Sequence, residues 1–139
     1  MLWKSTPSLK DLQARHKDTA VEQLGIEFTE IGEASLSARM PVDRRTVQPH
    51  GILHGGASVL LAETLGSCAA SLCLDSATQY CVGLDINANH VRAVRTGYVT
   101  GTATPVHIGR TTHVWAIDIR NDEGKTVCVS RITMSILSR

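Results

Sequence analysis

Residues 54–74, HGGASVLLAETLGSCAASLCL, decide how the rest of the chain must fold. The stretch holds no proline and a single formal charge, Glu63. At about 100° per residue, Ala57, Leu60, Leu61, Leu65, Cys68 and Leu72 fall on one apolar stripe. The other side carries Ala62, Gly66, Ala69, Ala70 and Cys73, residues small enough to admit another backbone. Such a helix is expected to be buried, and by more than its own domain, so a second subunit is expected against the small face. Glu63 stands in these surroundings with Ser67 one turn further on the same face. An ionised carboxylate there is costly unless it is paired or used, which makes Glu63 the candidate for chemistry.

Upstream, residues 42–53 (VDRRTVQPHGIL) are loop-like, broken by Pro49 and Gly51, and feed the helix. Before them, residues 26–31 and 34–40 read as a hairpin about Gly32-Glu33, with Pro41 stopping the second strand. Ser8 has the character of an N-cap, with Asp11 where a capping box places an acid, so a short helix through Gln13 is expected. Residues 20–24 form a further turn that Gly25 ends. Downstream, after a short polar link, residues 80–91, 97–107, 111–120 and 126–137 are strand-like, separated by turn residues. Two strands, one apolar helix and four strands predict an α+β fold, an antiparallel sheet wrapped round the helix. The lack of β-α alternation argues against a doubly wound sheet.

With 139 residues, the chain is expected to be one domain over 1–139. Its net charge of +1 argues against nucleic acid or a membrane surface as partner. Cys68, Cys73, Cys81 and Cys128 show neither CxxC nor His/Cys metal spacing, so reduced thiols and a cytoplasmic location are expected, with no metal. The N-terminus lacks the long apolar core of a signal peptide. The stretch 54–74 is long enough to span a bilayer, but Glu63, the glycines and the serines argue against it.

Gly55-Gly56 exposes backbone N–H groups at a helix start, a natural place for a developing oxyanion or, equally, a tight turn. Within one chain Glu63 is roughly a dozen ångströms from Gly55, too far for both to act on one carbon. A dimer that brings the Glu63 of one subunit to the helix start of the other removes the difficulty. Gln48 and His54 flank the loop and are placed either to hydrogen-bond a carbonyl or water, or to satisfy loop backbone. Residues 87–92, NANHVR, are polar where a core strand would be apolar, which suits either an exposed strand end or a ligand wall. Residues 107–113, HIGRTTH, combine a glycine, a cation and two hydroxyls in a turn suited to phosphate. No Walker, GxGxxG, GxSxG or HExxH motif is present.

PVDRRTVQPHGILHGGASVLLAETLGS, VGLDINANHVR and HIGRTTHVW together resemble the hotdog-fold acyl-CoA thioesterases. The match is to the glutamate-dependent 4-hydroxybenzoyl-CoA type, in its menaquinone- and enterobactin-associated branch. The resemblance covers nearly the whole chain. It implies a six-stranded antiparallel sheet around one helix, and a homodimer with shared sites paired into a homotetramer. It implies Glu63 as nucleophile or general base and the Gly55 amide polarising the thioester carbonyl. Gln48 and His54 would place the carbonyl or the water, and Ser67 would support Glu63. Gly83, His90, Val91, Arg92, Ala93, His107, Ile108, Gly109, Arg110, Thr111 and Thr112 would line the channel for pantetheine and nucleotide. No cofactor or metal is implied, since coenzyme A belongs to the substrate. His50 stands where that branch usually carries phenylalanine, near the expected acyl pocket, and its imidazole adds a donor. The sequence does not name the acyl group: aryl, hydroxynaphthoyl and medium-chain acyl groups all stay open. Two alternatives are an acyl-thioester dehydratase or hydratase, which needs a His-bearing motif that is absent, and a non-catalytic acyl-CoA-binding protein, which would not need Glu63.

Overall fold

The computed structural model describes residues 2–5 and 7–139. Helix α1 (Leu9–Ala14) starts where its cap predicts: the Ser8 hydroxyl accepts from the Asp11 amide at 3.1 Å. Helix α2 (Ala20–Gln23) is one turn, ended by Gly25 at φ 70°. Gln13 ties α1 to the sheet. Its Nε2 donates to the Ile26 carbonyl at 3.0 Å and its Oε1 accepts from the Phe28 amide at 2.9 Å.

Strands β1 (Glu27–Ile31) and β2 (Leu36–Pro41) form the expected hairpin. Pro41 is the last residue of β2, opposite Tyr98, rather than a stop outside it. After helix α3 (Gly55–Leu72) come β3 (Gln79–His90), β4 (Tyr98–Ile108), β5 (Thr112–Asn121) and β6 (Thr126–Ser138). All pairings are antiparallel, in the order β1-β2-β4-β5-β6-β3. The sheet is six-stranded, with α3 packed on one face.

Strand alternation decides what faces the helix. His113, Trp115, Ile117 and Ile119 of β5, with Ile132 and Met134 of β6, are buried beneath Leu61 and Leu65. Each fully buried aliphatic side chain stabilises the fold by about 1.5–3 kcal/mol. Trp3 stacks on Trp115 at 6.2 Å and donates from Nε1 to the Gly32 carbonyl at 2.8 Å, fastening the N-terminal segment over the core.

The small face of α3 is used differently from the expectation. Ala62, Ala69 and Ala70 are wholly buried against the chain's own sheet, not held open for a second subunit. At Gly66 a Cβ would lie 2.4 Å from Ile132 Cγ2, so glycine is what lets helix and sheet approach. Leu60 and Cys68, expected on the core stripe, are only half-buried. The inward face is therefore turned toward the small residues, and Glu63 rides on the outward flank.

Strand β3 is the edge opposite β1, which explains its polar residues: Asn87, Asn89 and His90 are exposed. The same edge exposes Tyr80, Val82 and Leu84, the last pushed out by a bulge between Gly83 and Asp85. Among the described residues no helix is long and apolar enough to cross a membrane.

Candidate active site

Two groups of residues are brought together, on different parts of one chain. The first surrounds the start of α3. His54 is the N-cap, its Nδ1 accepting from the Gly56 amide at 2.7 Å. That bond places the ring proton of the neutral imidazole on Nε2, which is left free to donate. The Gly55 amide, at the first helical position, has no intrahelical partner and makes no hydrogen bond among the described residues. A Cβ on Gly55 would lie 2.8 Å from His90 Nε2, so the His90 ring rests directly on the helix start. The Gln48 carbonyl oxygen accepts from the His50 amide, which leaves its NH₂ group to donate elsewhere. Gln48, Gly55, His90, Val91, Arg92 and Ala93 share the wall of a cavity of about 410 Å³.

The second group surrounds Glu63. Its carboxylate is exposed, contrary to the burial expected of it, and has no hydrogen-bond or ion-pair partner among the described residues. It lies over β3 at Gly83, where a Cβ would stand 2.5 Å from Glu63 Oε2. Gly83, expected in the coenzyme channel, is thus the seat of the carboxylate. Glu63 and Ser67 line one cavity of about 450 Å³ with Val59, Leu60 and Thr64. Ala20 and Val21 of α2 form its opposite wall. Ser67 Oγ is directed at Met134 Sδ, 3.8 Å away, rather than at Glu63. Thr64 Oγ1 is spent on the Leu60 carbonyl at 2.7 Å.

Glu63 and Gly55 therefore face separate cavities, as their spacing along the helix requires. The residues expected to line one coenzyme channel are divided in the same way. His90–Ala93 lie beside Gly55, whereas His107–Thr112 form the β4–β5 turn, closed by the Gly109 amide on the Thr112 carbonyl at 2.9 Å. That turn is at the Gly83 end of the sheet, through the row Ile108, His113, Met134, Gly83. Arg110 is exposed and makes no ion pair among the described residues, while Arg92 Nε donates to the Thr126 carbonyl at 3.1 Å. Buried in this row, His113 is held below the usual imidazole pKa by desolvation and by His107, which keeps it neutral. His50 lines neither cavity; its carbonyl accepts from Arg95 Nη1 at 3.4 Å.

Val59, Leu60, Thr64 and α2 were not foreseen as site residues. Positions 56, 59, 60, 63, 64 and 67 do form one helical stripe, a signal present in the spacing around Glu63.

One long helix thus lies over a six-stranded antiparallel sheet, with an unpaired carboxylate on the helix flank and an open amide at the helix start. The model of the Thioesterase superfamily matches residues 50–128, and the chain belongs to that superfamily. It is 49% identical to the 1,4-dihydroxy-2-naphthoyl-CoA hydrolase of Escherichia coli, over 99% of this chain and 100% of that one. To the proofreading thioesterase EntH of Cronobacter turicensis it is 47% identical, with 99% of each chain covered. A crystal structure of a mutant thioesterase from Pseudomonas aeruginosa superposes with a TM-score of 0.99, at 51% identity and 100% coverage of both chains. The resemblance drawn from the three motifs therefore holds, and the protein is an enzyme of the thioesterase class.

Proposed function

We propose that the enzyme hydrolyses an acyl-CoA thioester, with an aryl or medium-chain acyl group, to free acid and coenzyme A in the cytoplasm. Glu63 of one subunit is the nucleophile or the base that activates water, with Ser67 beside it. The Gly55 amide of the other subunit polarises the carbonyl, and the free donors of Gln48 and His54 orient the carbonyl or the water. The geometry of β3 carries this reading. Gly83, the seat of Glu63, and His90, which rests on Gly55, both lie on β3, whose outer edge is unpaired and is apolar toward Gly83 and polar toward His90. If two copies pair antiparallel about a twofold axis midway between those residues, Gly83 of one meets the partner's His90, and each Glu63 meets a Gly55. The same operation brings the Arg110 turn of one subunit toward the partner's Arg92, two cations for the phosphates of coenzyme A. Pairing of such dimers into a homotetramer completes the proposed assembly.

Replacing Glu63 by Gln tests the assignment, because the amide keeps the shape but neither attacks a carbonyl nor takes a proton from water. Free-thiol release on a thioester panel should fall by about 10²–10⁴ in kcat with little change in KM. Because Glu63 is exposed, folding stability should be unchanged. Turnover within about tenfold of wild type would remove Glu63 from the chemistry.

A further inference from the structure

The flank of α3 that carries Glu63 continues past the first cavity. A second cavity of about 270 Å³ opens between α1 and α3, walled by Leu12, Arg15, His16, Ser67, Cys68 and Ser71. Ser67 lines both cavities, so they follow one another along the helix. From Glu63 to Ser71 the helix rises about 12 Å.

From Glu63 this path runs past Ser67 and Cys68 of α3, with Leu12 of α1 across from them. In the far part, His16 Nδ1 lies 2.7 Å from the Leu12 carbonyl, which fixes its proton there. His16 Nε2 then accepts from Cys68 Sγ at 3.5 Å. Burial pushes the Cys68 thiol up to about 12, so it keeps the proton that it shares with His16. Arg15 is left over. Its guanidinium has no carboxylate partner among the described residues, yet its charge is felt at the Cys68 sulfur. Lys4 lies beyond it in an adjoining surface pocket that Arg15 shares, and Asp75 lines that pocket without pairing to either. An exposed cation with no carboxylate partner at the end of this path gives a hydrocarbon terminus nothing, and offers a carboxylate a charge-assisted hydrogen bond.

We propose that the cavity between α1 and α3 seats the far end of the acyl group, and that Arg15 selects acyl groups about 12 Å long that end in a carboxylate. This rests on the reading of Glu63 as the catalytic carboxylate. The chemical class is the monothioester of a dicarboxylic acid.

The test compares free-thiol release from decanoyl-CoA, from its ω-carboxy counterpart of equal chain length, and from benzoyl-CoA, which is too short to reach Arg15. Wild-type kcat/KM should favour the ω-carboxy thioester over decanoyl-CoA by about tenfold, the effect of one such interaction. Arg15→Met keeps the stem without the charge and should bring the ratio close to one. Arg15→Glu should turn the preference toward the ω-amino analogue. Benzoyl-CoA turnover with no preference between the two long thioesters, or an unchanged ratio in Arg15→Met, would overturn the subsite while leaving the thioesterase reading intact. No turnover on any of the three would remove both.

Discussion

At the scale of single residues, Gly83 matters as much as Glu63. The carboxylate lies over the strand at the one position where a Cβ would come within 2.5 Å of its oxygen. Because the clashing atom ends a flexible side chain, Gly83→Ala should cost little stability and instead push the carboxylate aside. A displacement of about 1 Å at a reacting group costs on the order of 10²-fold in rate. The expected outcome is a kcat lowered by about that factor with an unchanged melting temperature. A fully active Gly83→Ala enzyme would show that the carboxylate does not need this seat. His54 shows how one residue serves two purposes: its Nδ1 caps the helix while its Nε2 stays available, so the two readings open in the sequence are compatible.

At the scale of elements, the helix and every strand were legible, because α3 and β5 carry strong periodicities of different length. Trp115, Ile117 and Ile119 alternate cleanly, and their burial follows. The orientation of α3 was less legible. Hydrophobicity alone put Leu60 and Cys68 inward and the small residues outward, whereas close packing on a sheet selects for small size. Ala62, Gly66 and Ala69 are inside for that reason, which turns Glu63 to the surface. Gly66→Ala tests this. The added methyl meets Ile132 Cγ2 at 2.4 Å, a core atom with little room to move, and should destabilise the enzyme by about 1–3 kcal/mol in chemical denaturation. Unchanged stability would mean that helix and sheet are not in close contact there. The polar run at residues 87–92 was legible as an exposed strand end or a ligand wall, but not as one rather than the other, because a sequence does not say which strand is the edge; β3 is, and the run is its exposed end.

At the scale of the whole molecule, the chain divides its candidate site residues between two cavities and leaves the outer edge of the 12-residue strand β3 unpaired between them. The separation of Glu63 from Gly55 was readable from helix rise alone. The route by which two copies would restore their contact was not, since it depends on the sheet order. A site shared between subunits makes a prediction that no single-chain site shares. Glu63→Gln and Gln48→Ala each remove a group from a different side of the site, so each protein alone should be inactive. When the two are co-expressed and mix at random, half of the dimers combine one of each, and one of their two sites receives an intact Glu63 and an intact Gln48. Free-thiol release from the mixture should then recover to about a quarter of the wild-type rate. Activity no greater than the average of the two separate mutants, in a sample shown to contain mixed dimers, would contradict the shared site.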